Sequence, residues 1–562
     1  MAFSSGLTSA SHFPKSPNKT QEFCFSNATY MSAANHGSIN QSHNLVSKPS
    51  QDYMDLFGIE HKHELEEIKL IFGKVEDPLE SLIMIDALQR LGIDYHFQEE
   101  IKRSLSRSYE NFRTSGDGSL YEVALSFRLL RQDGYHVPAD VFNNFKGKDG
   151  KFKLALCEDI RGMMGFYEAS HLAVEGEHIL DEAKDFAEKH FKVSMITLID
   201  KDLARIVRNT LEHPFHKSLA RFRTKYYIKS FQTQHEWIQI LQDFAKMDFN
   251  IVQGLHQQEL LHISKWWKDL GLAQEMKFAR DQLLKWYLWP MAALTDPRFS
   301  EQRIELTKPI SLIYIIDDIF DVYGKLDELV LFTEAINRWD IAAGEQLPNY
   351  MKICFKAVYE ITNEIAYKVF REHGWNPTNS LRKTWVNLFN AFLVEAKWFA
   401  SGNLPKAEEY LKNAVISSGV HVVLVHMFFL LGHGITKDSV DLVDDIPNLI
   451  SLPATILRLW DDLGSAKDEN QEGYDGSYIE CYMKEHQDVS YGSAREQVFG
   501  MISDAWKRLN EECLSLNPFS SSFRKASLNV ARMVPVMYNY DDNQCLPSLE
   551  EHITSMLYES IA

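Results

Sequence analysis

Cysteine is scarce in this chain of 562 residues: there are six, none of them in a C-x-x-C pair. That spacing excludes a zinc ribbon and a dithiol redox motif, and it predicts free, mostly buried thiols in a reducing compartment. Glycine and proline, at 27 and 17, are too few for a fibrous or largely disordered chain. No apolar run reaches the ~18 residues that suggest a membrane span. The most apolar stretch, Val420–Leu431, is interrupted by His421 and His426 and reads as a buried helix. There is no G-x-G-x-x-G, no Walker-type loop and no clean repeat. Positive charge is in deficit, 59 Lys+Arg against 78 Asp+Glu, for a formal net charge of −19. A nucleic acid or an anionic membrane would be repelled, so neither is expected as a partner. A small anion would need local cations or metal ions.

Arginine is absent before Arg90. Residues 1–50 hold eleven Ser, five Asn, three Lys and a single acid, Glu22. With little apolar periodicity, this segment is expected to be disordered. It lacks the apolar core of a secretory signal. Its high Ser and low acid resemble an organelle transit peptide, although such peptides are usually rich in arginine. A chloroplast location is the expectation, with the cytoplasm as the alternative.

From Met54 onward the apolar residues recur with a period of 3.6. Leu82, Ile85, Leu88 and Leu91, for example, share one helical face. Glycine or proline is expected to end helices at Gly92, Gly134, Pro138, Gly176, Pro214, Gly271, Pro290, Gly344, Gly402 and Pro453. No β-alternation is sustained. The fold class is therefore all-α, with short loops between antiparallel helices. Long aromatic-rich helices with two acidic clusters begin after about residue 265. The division expected is 51–265 for an N-terminal helical domain and 266–562 for a C-terminal catalytic one.

The first acidic cluster is Asp317-Asp318-x-x-Asp321, set among Ile315, Ile316, Ile319 and Phe320. On a helix Asp317 and Asp321 leave the same face, one turn apart. Apolar surroundings penalise each charge, and like charges repel. A divalent cation resolves both problems, and oxygen-only ligands favour Mg²⁺ or Mn²⁺ over zinc. A face paired with Lys or Arg from elsewhere would resolve them too. In the second cluster Asp461, Ser465 and Glu469 line one stripe at i, i+4 and i+8, with Arg458 one turn before. A solvated acidic helix end is the alternative, because Gly464 weakens the helix and Lys467 and Asp468 can pair locally. Arg280 lies upstream of both clusters, ahead of Trp286, Tyr287 and Trp289. Trp286 reads as core; Trp289 is either core or an aromatic face for a cation. Together these parts suggest metal ions and arginines that neutralise a departing diphosphate, beside an apolar pocket that excludes water.

The ordered set of motifs resembles the plant class I terpene synthases over most of residues 55–560. Its members are Leu88–Gly92 with Tyr95–Phe97, Phe127–Arg131, Tyr167–Ala169, Leu211–Pro214, Asp317–Asp321, Glu395–Trp398, Ser417–Gly419 and Asp461–Glu469. The resemblance implies a C-terminal class I terpenoid-synthase bundle and a non-catalytic N-terminal α-barrel-like domain. It implies three Mg²⁺ ions, with Asp317 and Asp321 binding two and Asp461, Ser465 and Glu469 the third. Asp318 would support them from behind. Arg280 and Arg458 would contact the diphosphate of a prenyl diphosphate substrate, which Asp317, Asp321 and Asp461 also help to bind. Ser417-Ser418-Gly419 would be the helix break beside the substrate, and Gly464–Tyr474 a closing lid. A monomer is expected.

Three departures bear on the product. No Arg-Arg pair occurs. Arg280-Asp281-Gln282 stands where the family often has Arg-x-Arg, which removes one diphosphate-facing cation. Tyr540-Asp541-Asp542-Asn543-Gln544 replaces an Asp-Gly-Tyr-like segment. The missing Arg-Arg resembles the subgroup that makes acyclic products, notably linalool and nerolidol, and all three departures fit ionisation and water capture of the cation over multi-step cyclisation; an acyclic hydrocarbon is the alternative product. A chain-extending prenyltransferase would want Asp at Ser465 and a shorter chain. A class II cyclase needs D-x-D-D, which Asp441-Leu442-Val443-Asp444-Asp445 does not supply. A catalytically silent prenyl-diphosphate-binding protein is the remaining rival. His61 and His63 read as a solvated helix start, His213 and His216 as structural residues of an interhelical turn, and the basic loop Lys146–Lys153 is too short to signal nucleic acid.

Overall fold

The computed structural model describes residues 59–115, 118–197, 200–230, 235–465, 476–515, 517–538 and 547–561. The 1–50 segment, the Ser465 side chain, Glu469, most of the expected lid and the 540–544 segment lie outside the described residues. Among the described residues every regular element is helical, and the one extended pairing is an isolated bridge between Lys146 and Phe152.

Local chemistry explains where helices begin and end. In Pro78–Leu91 the Glu80 N–H donates to Asp77 Oδ2 at 2.9 Å. Pro78 occupies the first turn, where its missing N–H costs nothing. Gly92, at φ 74°, ends the helix. Leu82, Ile85, Leu88 and Leu91 are all buried, as their spacing requires. Two prolines behave differently from the sequence expectation. Pro290 lies inside the helix Leu283–Ala293, and Pro453 inside Asn448–Ser465. A proline leaves the carbonyl four residues earlier without its helical donor. For Pro453 that carbonyl is Leu449 O, and the Ser527 hydroxyl of a neighbouring helix donates to it at 2.5 Å. A tertiary contact thus lets the helix that carries Arg458 and Asp461 run on through the proline.

The helices enclose two apolar cores. The smaller runs from Ile68 to Leu255 and the larger from Leu219 to Leu557. One helix of 34 residues, Trp237–Leu270, serves both. Its Trp237, Leu241 and Phe244 enter the smaller core, while Leu260, Ile263 and Trp267 enter the larger. Residue 265 therefore falls inside a continuous helix rather than in a linker. The two halves are also pegged together by His216, whose ring bonds to Asn510 Oδ1 at 2.8 Å and whose carbonyl accepts from Arg532 Nε at 2.6 Å. The apolar stretch 407–431, which contains Val420–Leu431, is interrupted between the helices Ala407–Ser417 and Val420–Leu431 and is mostly buried.

His426 sits at 0% exposure on Val420–Leu431. Burial lowers its imidazole from 6.5 to about 4. Unfolded chains take up this proton as pH falls below 6.5, whereas the folded state resists until about 4. The histidine's contribution to stability is therefore full above pH 6.5 and declines below it, by up to ~1.4 kcal/mol per pH unit. His426→Gln lacks this titration. Its deficit in melting temperature against the wild type should shrink between pH 7.5 and pH 5; a deficit constant across that range would contradict the assignment.

Candidate functional site

The helix Ser300–Asp318 buries Ile315 and Ile316 and passes directly into a wider π-turn, Ile319–Tyr323. Gly324 N–H closes that turn on Ile319 O at 2.7 Å. Such i+5 turns are rare and concentrate at functional sites. Asp321 lies within the turn, so regular α-helical spacing does not describe its relation to Asp317. The charge of Asp317 still acts on Asp321 across the turn. Burial, then the charges of Asp317 and Glu395, push the Asp321 carboxyl well above its ordinary range, and Arg458 and Arg280 pull it back.

Gly324 is required for space. A Cβ there would come within 2.6 Å of Leu329 Cδ2 and 2.8 Å of Ile319 O. Gly324→Ala should destabilise the turn by about 1–3 kcal/mol, the usual penalty of overpacking. The expected result is a lowered melting temperature together with reduced turnover; wild-type values for both would show that the turn yields freely.

Arg280 joins the aspartates from the segment before the helix Leu283–Ala293. Its backbone N–H donates to Asp318 Oδ2 at 2.7 Å, and its guanidinium pairs with Asp317 and, at 2.7 Å, with Asp318. Asp318 is nearly buried and thereby holds the arginine loop in place. The ring of Phe278, two residues before Arg280, stacks on Tyr323 with centroids 3.7 Å apart. That stack ties the same loop to the end of the π-turn. Below Arg280 lies the ring of Tyr314, at 5.2 Å, whose hydroxyl accepts from Trp289 Nε1 at 3.1 Å. Trp286 is core, at 0% exposure.

The second acidic helix, Asn448–Ser465, presents Arg458 and Asp461. Arg458 Nη1 donates to Asp461 Oδ2 at 3.2 Å and its Nη2 reaches Ser417 Oγ at 3.3 Å. Asp462 points the other way: Tyr410 OH donates to it at 2.9 Å and Tyr478 N–H at 3.0 Å. Burial, against the pull of Arg458, raises the Asp462 carboxyl to about 7.

Ser417 stands at the expected helix break. Gly419, at φ 72°, turns the chain, and a Cβ there would come within 2.7 Å of Ile313 Cγ2 on the first aspartate helix. The Ser417 hydroxyl donates to Glu395 Oε1 at 2.6 Å, and Asn413 Nδ2 donates to the same oxygen at 3.2 Å. Glu395 was not among the residues assigned a role from the sequence. Its only signal was the Glu-Ala-Lys-Trp match, because an acid brought in from a separate helix leaves no spacing pattern. Burial and Asp317 raise its carboxyl, while Arg458 and the Ser417 bond lower it. Burial and Asp317 likewise raise Asp461, against Arg458, Lys285 and Arg280.

The structure thus brings Asp317, Asp321, Glu395 and Asp461 into one electrostatic field, with Arg280 and Arg458 among them. Among the described residues, no three acidic, histidine or cysteine side chains already form a cage for one ion; the guanidiniums occupy the carboxylates instead. The donor set is nonetheless all oxygen, mutually repulsive and partly buried, which suits Mg²⁺ and Mn²⁺. Asp317, Asp321, Glu395 and Asp461 could hold such ions. An arginine-lined end of this kind also suits a phosphate-bearing ligand.

Two family models match the chain: "Terpene synthase, N-terminal domain" over residues 34–211 and "Terpene synthase family, metal binding domain" over 268–508. The chain is 53% identical over 506 residues to an (E)-nerolidol synthase of Cannabis sativa, covering 88% of this chain and 91% of that protein. It is 47% identical over 523 residues to the chloroplastic S-(+)-linalool synthase of Arabidopsis thaliana, covering 92% and 91%. Among solved structures, isoprene synthase from grey poplar leaves, in complex with three Mg²⁺ ions and dimethylallyl-S-thiolodiphosphate, superposes with a TM-score of 0.85 at 36% identity. The match covers 91% of this chain and 99% of that one.

Proposed function

The chain belongs to the terpene synthase family, lyases acting on prenyl diphosphates, and from that premise we propose that it ionises geranyl or farnesyl diphosphate and lets water capture the cation, giving linalool or nerolidol. The observation that carries this reading is the meeting of the Asp317/Asp321/Glu395 group with Asp461 around Arg280 and Arg458. We assign Asp317, Asp321 and Asp461, with Ser465 and Glu469, as the metal ligands, and residues 266–562 as the catalytic domain. When bound, Mg²⁺, or Mn²⁺ in its place, supplies Lewis-acid neutralisation of the diphosphate.

The chain's own groups do the rest. Arg280 and Arg458 offer forked donors that orient the diphosphate. Asp318 fixes the Arg280 backbone, so that the fork is placed before substrate arrives. The C–O bond to the diphosphate breaks and its electron pair leaves with the diphosphate. The ring of Tyr314 lies next to Arg280 and is bonded through its hydroxyl to Trp289, and the quadrupoles of these two rings favour the allylic cation. A water oxygen then bonds to the tertiary carbon, and its surplus proton passes to the released diphosphate. The names of the two relatives and the loss of Arg-Arg favour an acyclic alcohol. The chloroplastic linalool synthase also favours a plastid location, and we take the protein to act as a monomer.

Purified protein with each diphosphate and MgCl₂, followed by gas chromatography of the volatiles, tests the proposal. Linalool or nerolidol is the expected main product. Cyclic hydrocarbons would overturn the acyclic assignment, and myrcene- or farnesene-type hydrocarbons would overturn water capture alone. A magnesium-dependent rise in melting temperature with an unreactive analogue, but no turnover, would indicate a silent binding protein.

A further inference from the structure

Every arginine at the site is already engaged: Arg280 with Asp317 and Asp318, Arg458 with Asp461. One cation is not. Lys285 lies in the first turn of the helix Leu283–Ala293, partly buried, and among the described residues it has neither an ion pair nor a hydrogen bond. The charges of Arg280 and Asp461, carried by two different parts of the fold, both act on it. It precedes Trp289 by four residues, so the two share a helix face. Trp289 bonds to Tyr314, beneath Arg280. Lys285 therefore stands one turn nearer the arginine end of the same wall. Gln282, on the turn before it, is neutral, and its buried Oε1 has no partner.

An ammonium taken out of water without a counter-charge is costly unless a partner arrives. Burial and the charge of Arg280 lower its pKa, and only Asp461 works the other way. A long lysine stem can lie on apolar surface while its head seeks water, but here the first turn of the helix sets Lys285 on the Trp289 face, where the charges of Arg280 and Asp461 both act on it. We infer that Lys285 is a third cationic contact for the substrate's diphosphate, donating from Nζ to its oxygens beside Arg280 and Arg458. This rests on the diphosphate-ionising reading above. It also revises the sequence expectation that Gln282 leaves the site one cation short: the charge is displaced by one helical turn, on a side chain that is unpaired among the described residues.

The test is calorimetric titration of inorganic pyrophosphate into the full chain in MgCl₂, a readout that needs no turnover. K285M should weaken binding about tenfold to a hundredfold, the range for losing a charge-assisted hydrogen bond. K285R should retain affinity within about threefold of wild type, because the charge and donors persist. Melting temperatures identify any variant that has lost its fold, and K285Q replaces K285M in that case. Unchanged pyrophosphate affinity in folded K285M or K285Q overturns the inference while leaving the broader reading intact. Affinity in K285R as weak as in K285M also overturns it, because charge would then not be the cause. Wild-type protein that takes up no pyrophosphate overturns the diphosphate reading, and this inference with it.

Discussion

Asp317→Ala should reduce turnover of geranyl and farnesyl diphosphate by about a thousandfold or more, the upper end of the loss when one electrostatic contact to a transition state is removed. The position explains the magnitude. Asp317 pairs with Arg280 and lies in the field of Asp321, Glu395 and Asp461. Its loss removes a metal-facing oxygen donor and frees Arg280 from one of its two anchors. Stability should change little, because the substitution also relieves repulsion among the remaining acids. Asp321→Ala should behave similarly. The measurement is product formation per enzyme with Mg²⁺ present, alongside the melting temperature. Full activity in either variant would remove the metal argument.

Arg303→Met should destabilise the larger core by about 3–5 kcal/mol, the typical result of stranding one partner of a buried pair. Arg303 and Glu259 are both at 0% exposure. Arg303 donates to Glu259 Oε2 at 2.9 Å and to the carbonyls of Leu294 and Asp296 at 2.8 and 2.7 Å. Tyr287 OH donates to the same Glu259 oxygen at 2.6 Å and meets His256 Nδ1 at 2.7 Å. This network joins Trp237–Leu270, Leu283–Ala293 and Ser300–Asp318, the helices that set Lys285 and Asp317 in place. Burial works to raise the Glu259 carboxyl, but Arg303 and His256 outweigh it and hold it at about 2. Denaturant unfolding should show the loss. The double variant Glu259→Leu with Arg303→Met should recover most of it, since no charge is then left alone. An unchanged unfolding midpoint in Arg303→Met would contradict the account.

Much of the architecture was legible along the chain because helices are local. A period of 3.6 buries Leu82, Ile85, Leu88 and Leu91 wherever the domain places that helix. Gly92 and Gly402 end helices because their positive φ suits glycine. Where a distant partner intervenes, the local rule fails. Pro453 signals a helix end, yet Ser527 supplies the donor that lets the helix continue. The change in character near residue 265 signals a boundary, yet one helix spans both cores. The π-turn at Asp321 was also hidden, because the tight space around Gly324, beside Leu329 of the next helix, leaves no periodic signal along the chain.

Taken alone, the sequence determined which groups were available for chemistry: oxygen donors in two short helical clusters, two arginines near them, and a helical period on which to hang them. That information is carried by neighbours along the chain, where backbone geometry alone sets the spacing. Only the tertiary structure decided which of these groups meet. Glu395 joins the aspartates, Asp462 turns away toward Tyr410, each arginine finds its own carboxylate, and Lys285 is left without one among the described residues. Those outcomes depend on how helices far apart in sequence pack against one another, and Coulombic forces and burial act on distance in space, whatever the separation along the chain.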